Sequence, residues 1–153
     1  MTLDLESRLN LEHDEQPVAA FLAENGGGLD RDDTLGGEGG DPAVYWLTMR
    51  PASHPAERYF ARVGWEAYPY NHPSIKFATG VRGALNVTSA WPVMTGYRPT
   101  SFDICRPISK EGFAIHPEWA EGSTAWPTEG NPFLWVAQTI QFHLDNDYQG
   151  RAS

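Results

Sequence analysis

The stretch "ERYFARVGWEAYPYNHPSIKFAT" spans residues 57–79 and holds two alternating segments joined by a proline-rich link. In the first, Tyr59, Ala61, Val63 and Trp65 fall on one side, and Phe60 and Arg62 on the other. In the second, Ile75 and Phe77 face one way and Lys76 the other. A period of two is the pattern of a strand with one buried face. The link is too short for a parallel crossover, so the two strands are expected to run antiparallel.

Toward the N-terminus, "AVYWLTMRP" (43–51) alternates in the same way. Tyr45, Leu47 and Met49 share one side, and Val44, Trp46 and Thr48 the other. The link to the next strand is again short and rich in proline, which predicts a three-stranded antiparallel meander. Further upstream, "DEQPVAAFLAEN" (14–25) reads as a short helix with Pro17 at its first position and Val18, Phe21 and Leu22 on one face. Gly26, Gly27 and Gly28 are expected to stop it. "GGGLDRDDTLGGEGGDP" (26–42) then reads as a mobile linker rich in Gly and Asp. Toward the C-terminus, residues 80–125 show no clear period and many Gly, Pro, Ser and Trp, so long ordered loops with pieces of strand are expected. "NPFLWVAQTIQFHLDND" (131–147) predicts a helix capped by Asn131, with Pro132 first and Phe133, Val136, Ala137, Ile140 and Leu144 facing the core. The expected fold class is α+β, with an acidic helix and flexible linker at 1–42 and a domain at 43–153.

The charge follows that division. Of the formal −9, residues 1–42 hold eleven acidic groups against two basic ones, while residues 43–153 hold nine of each. A body without basic excess argues against nucleic acid as a partner. The acidic front segment reads either as a solvated arm or as a surface for a basic partner. No apolar run approaches the length of a membrane span, and "MTLDLESRLNLEHDEQ" lacks the basic flank and apolar core of a signal peptide. A single cysteine in 153 residues fits a reducing compartment, so a cytoplasmic protein is expected. The histidines of the His-Pro pairs at 54, 72 and 116 lack metal-ligand spacing, and neither a metal nor a cofactor is called for.

Three segments, in this order, resemble the ubiquitin-conjugating (UBC-like) family. "YPYNHPSIKF" (68–77) is similar to the family's Tyr-Pro-x-x-Pro-Pro-x-(Val/Ile)-x-Phe signature, with His72 in place of one Pro. "RPTSFDICRP" (98–107) resembles the run from the family's His-Pro-Asn to its Ile-Cys-Leu. "AWPTEGNPFLWVAQTIQFHL" (125–144) resembles the Trp-x-Pro turn and the crossover helix. The resemblance implies a UBC-like fold shortened at its C-terminus, with an active-site loop region between meander and crossover helix. It implies that Cys105 accepts a ubiquitin-like modifier as a thioester from an activating enzyme and passes it to an amine of a target protein. The alternative is an inactive UBC-like module that binds the modifier or the activating enzyme.

The departures from the family's pattern are specific. Arg98-Pro99-Thr100 stands where His-Pro-Asn is expected, so the asparagine that stabilises the oxyanion is missing. Cys105 and Trp126 are 21 positions apart, beyond the family's usual interval. Such traits are similar to divergent bacterial relatives encoded beside a ubiquitin-like protein and an activating enzyme, some of which act in antiviral defence.

A thiolate carries an acyl group well, because it is strongly nucleophilic even when sparsely populated. Arg106 adjoins Cys105, with Arg98 and Lys110 near in sequence, which favours the thiolate. The competing reading of a lone cysteine is a small buried hydrophobe. His116, in "FAIHPEW", is the histidine of the loop that follows the cysteine. It is a candidate donor to the oxyanion or acceptor of the amine proton, or a residue that fixes a turn ahead of Pro117. Thr100 and Ser101 occupy the place of the missing asparagine, and Asp103 either orients a lysine or ends a strand. Trp91, Trp119 and Trp126 read as packing for the long loops or as a recognition surface.

Overall fold

The computed structural model describes residues 5–32 and 43–153. Helix α1 (Leu5–Glu24) leads into strand β1 (Gly28–Arg31). Strands β2 (Ala43–Met49), β3 (Tyr59–Trp65) and β4 (Ser74–Ala78) follow. A two-stranded hairpin, β5 (Tyr97–Arg98) and β6 (Asp103–Ile104), precedes a short helix α2 (Lys110–Ile115) and the long helix α3 (Pro132–Asn146). The main sheet has the order β1-β2-β3-β4, each pair antiparallel. The protein is α+β, with an N-terminal helix, a four-stranded antiparallel sheet and a C-terminal helix.

The alternation in residues 43–79 becomes the two faces of this sheet. Tyr45, Leu47, Tyr59, Ala61, Val63, Trp65, Ile75 and Phe77 are fully buried in one core with Phe133, Val136, Ala137, Ile140 and Leu144 of α3. The ring of Phe133 meets Tyr45 edge-on at 4.8 Å and Trp65 at 5.4 Å. On the opposite face, Val44, Trp46 and Ala78 form a smaller cluster under Val81 and Leu85. Asn131 caps α3 by accepting from the Leu134 backbone N–H at 2.9 Å.

Helix α1 is longer than expected: it starts at Leu5, and Pro17 lies inside it. Its buried stripe is Ser7, Leu11, Asp14, Val18 and Leu22, and two of those positions are polar, which hides the helical period in the sequence. One residue satisfies both. The Tyr68 backbone N–H donates to Ser7 Oγ at 3.1 Å, and the Tyr68 hydroxyl donates to Asp14 Oδ2 at 2.6 Å. Pro17 is on the exposed side, where the carbonyl it leaves without an intrahelical donor is open to water.

The expected flexible linker is corrected over 28–31, which form β1 and pair with Tyr45–Thr48 of β2. Residues 33–42, the remainder of that expectation, lie outside the described residues. The glycines do stop α1. Gly26 takes φ +78, its N–H reaches Ala23 O at 3.2 Å, and the Gly27 N–H reaches Leu22 O at 2.8 Å. These two bonds are the Schellman closure of a helix. Gly27 also lies so close to β2 that a Cβ there would fall 1.8 Å from Thr48 O, whereas a Cβ on Gly28 meets nothing. Gly27→Ala is expected to cost about 2 kcal/mol by pushing the edge strand away. Gly28→Ala is expected to stay within about 0.5 kcal/mol of wild type. Denaturant midpoints compare the two, and equal midpoints contradict the close-approach account.

Candidate active site around Cys105

The segment read as irregular is held in place by a short helix. Ser109, fully buried, caps α2 by accepting from the Gly112 N–H at 3.0 Å, and its hydroxyl donates to Ile104 O at 2.9 Å. One side chain thereby closes the turn that carries Cys105. Helix α2 is tied to the main sheet as well. Glu111 accepts from Ser74 Oγ at 2.6 Å and from the Ile75 N–H at 3.1 Å, and the Lys110 N–H donates to Pro73 O at 2.7 Å. At the other side of the turn, the Cys105 N–H donates to Gly96 O at 2.7 Å.

Cys105 is half-buried and lines a cleft of about 410 Å³ with Thr95, Gly96, Arg106, Trp119 and His143 among its walls. The side chain is thus partly buried, neither enclosed in the core nor fully exposed. Two glycines make this turn tight. A Cβ on Gly96, whose φ is +82, would fall 2.7 Å from Arg106 Cδ and 2.9 Å from Cys105 O. A Cβ on Gly112 would fall 2.1 Å from Arg106 O.

The three nearby cations have different fates. Arg98 grips Asp103 with two bonds, 2.5 and 2.7 Å, across the β5–β6 hairpin. That pairing holds the Asp103 carboxyl below the usual carboxylate range, so Asp103 serves the hairpin. Lys110 lies 3.4 Å from Glu66. Arg106 instead meets an imidazole: its Nη2 bonds to His143 Nε2. His143 Nδ1 is 2.8 Å from the Tyr97 hydroxyl. Arginine only donates, so Nε2 accepts, the ring is neutral, and Nδ1–H donates to Tyr97. Burial first, then the Arg106 charge, hold the His143 pKa down at about 4.

His143 is the residue that sequence reasoning missed. It is 7 % exposed, three positions after Ile140 and seven after Val136, on the buried face of α3. A histidine in an apolar helix stripe needs a polar partner, and that was the signal available. His116 is placed differently. Its backbone N–H donates to Gly112 O at 2.9 Å at the end of α2, its Nδ1 lies 2.9 Å from Glu118 Oε1, and its ring stacks on Trp119 at 4.3 Å. Trp119 lines the cleft and His116 does not. Ser101 Oγ donates to Asp103 Oδ1 at 3.4 Å, and Thr100 is exposed at the hairpin tip. His72 stacks on Phe113 at 4.4 Å, and Trp126 Nε1 donates to Pro69 O at 2.8 Å; both pack α2 and its following turns onto the proline-rich link. Trp91 is fully buried in the main core.

The neutral His143 ring has a consequence for acid stability. An unfolded histidine takes up a proton near pH 6.5, whereas the folded ring does so at about 4. The unfolded chain therefore binds more protons in that interval. Stability is expected to fall as pH drops from about 6.5 toward 4 and to level below it, by on the order of 2 kcal/mol for this ring. His72, lowered by burial, adds to the same slope. Denaturation midpoints at stepped pH values check this: His143→Gln is expected to flatten the curve, and an unchanged slope contradicts it.

No protein-family model, curated protein or solved structure matches the chain. No helix among the described residues is long and apolar enough to cross a membrane.

Proposed function

We propose that the protein is a ubiquitin-like protein conjugating enzyme with a UBC-like fold. It takes a modifier from an activating enzyme as a thioester on Cys105 and transfers it to an amine of a target protein. The observation that carries this reading is the placement of the sole cysteine. Cys105 stands half-buried on a cleft lined by Gly96, Arg106, Trp119 and, from helix α3, Thr139 and His143. The order helix, four-stranded antiparallel sheet, cysteine segment, helix supports it. So do the three quoted segments. The Tyr68 of the first joins α1 to the start of α3, since its hydroxyl donates to Asp14 Oδ2 and accepts from the Phe133 N–H at 3.2 Å.

The chemistry asks little of the charging step and more of discharge. Charging exchanges one thiol for another and needs no strong base. Discharge to an amine develops negative charge on the carbonyl oxygen, which requires a donor. The setting we propose is a bacterial cytoplasm, in a conjugation system of the kind that serves antiviral defence. The test is incubation with ATP and with the activating enzyme and ubiquitin-like modifier that this reading expects beside it. A band larger by one modifier, seen without reductant and lost with it, is the expected result. Absence of that band on folded wild-type protein, with the activating enzyme itself charged, leaves the binding module instead.

A further inference from the structure

Resting on the thioester reading, we propose that Arg106 supplies the oxyanion donor of acyl transfer at Cys105, and that His143 is the positioning residue that holds it there.

The argument begins with charge. Arg98 and Lys110 are matched by Asp103 and Glu66, but Arg106 has no carboxylate within ion-pair distance among the described residues. Asp147 acts on it only through its field, because its carboxylate accepts from the Thr95 N–H at 2.6 Å. An unmatched guanidinium on the wall of a cleft leaves a site for negative charge that arrives with a substrate. Arg106 and Cys105 line the same cleft and are adjacent in the chain.

Position is the second part. An arginine side chain has about 2 kcal/mol of rotamer entropy to lose before it is useful as a fixed donor. Here the stem runs against Gly96, where no Cβ fits, and the Arg106 backbone is pressed by Gly112. The far end is fixed by His143 Nε2, itself held by Tyr97 through Nδ1. A neutral imidazole accepts without cancelling the charge, which a carboxylate in its place does. Among the described residues one of its five N–H donors is used, on His143, which leaves others for a ligand. Thr100 and Ser101 are poorer candidates, one at the exposed hairpin tip and the other turned to Asp103.

The step balances as follows. The lone pair of a neutral amine forms the C–N bond while the carbonyl π pair moves onto oxygen, where Arg106 donates to it. That pair returns to remake C=O, the C–S bond breaks, and its electrons leave on Cys105 Sγ. The nitrogen loses a proton to water and the thiolate takes one up, giving an amide and the free thiol.

The experiment needs neither modifier nor activating enzyme. The folded protein is acetylated at its single thiol with a small acetyl thioester, freed of reagent, and mixed with glycinamide. Mass spectrometry follows loss of the acetyl group from Cys105. Arg106→Gln is expected to slow this aminolysis about tenfold or more, and Arg106→Lys to recover part of the rate. His143→Phe, which keeps Arg106 but offers no acceptor, is expected to slow it similarly. His143→Gln, which restores an acceptor, is expected to recover most of it. The double variant Arg106→Gln/His143→Phe is expected to be no slower than Arg106→Gln alone, which a merely structural role of His143 does not produce. Equal aminolysis rates in wild type and Arg106→Gln overturn the proposal and leave the thioester reading standing. A folded wild-type thiol that takes no acetyl group overturns both.

Discussion

Cys105→Ala is expected to abolish every modifier-bearing form of the protein, and Cys105→Ser to replace a reducible conjugate with one that survives reductant. The sulfur is the only thiol in the chain, so no second residue can take over as a thioester carrier. A serine oxygen in the same place is a far weaker nucleophile, so its ester forms more slowly. Once formed, it resists both thiols and amines, because an alkoxide leaves less readily than a thiolate. The substitutions are clean structurally. The bond that fixes the residue is its backbone N–H to Gly96 O at 2.7 Å, which neither variant removes. The side chain is half-buried on a cleft wall, so alanine leaves no enclosed cavity. Gels run with and without reductant separate the three proteins. Full charging of the alanine variant sinks the assignment of Cys105.

The parts of this fold that were legible are those in which one face of an element is apolar throughout. Strands β2, β3 and β4 and helix α3 bury Tyr45, Val63, Phe77 and Ile140 at a regular period, and the sequence shows that period directly. The missed parts are those that depend on distant partners. The first half of α1 places Ser7 and Asp14 on its buried face, where both meet Tyr68, more than fifty positions away. Strand β1 is four residues long at the sheet edge, with Asp30 and Arg31 exposed, so it carries almost no pattern. Helix α2 has six residues, fewer than two turns, and owes its position to Glu111 and Ser109 rather than to periodicity. The site divides in the same way. Cys105 stood out by its context, whereas His143 lies thirty-eight positions downstream in a different element and reaches the cleft only through the packing of α3. His116 is nearer in sequence, and its ring stops at Trp119.

Gly112→Ala is expected to destabilise the protein by about 3 kcal/mol or more. The added Cβ would fall 2.1 Å from Arg106 O and 3.0 Å from both Arg106 C and Arg106 N. All three atoms are backbone, so no side chain can swing aside. Retreat of α2 is opposed from two directions. The Gly112 N–H is held by Ser109 Oγ, and that hydroxyl is committed to Ile104 O. Glu111, the preceding residue, is anchored to Ser74 and Ile75 of β4. Moving α2 outward therefore breaks a buried cap or the link to the sheet, each worth about 1 kcal/mol or more. Arg106 itself has little room to yield, since its stem lies against Gly96, where an added Cβ would fall 2.7 Å from Cδ and 2.9 Å from Cγ. Gly122→Ala is the control. It has the left-handed φ of +72 but nothing within reach of a Cβ, so only the backbone strain of about 1 kcal/mol applies. Chemical denaturation of both variants decides the matter. A Gly112→Ala midpoint no lower than that of Gly122→Ala means that the turn bearing Cys105 is loose, and the clamped arginine argued from it falls as well.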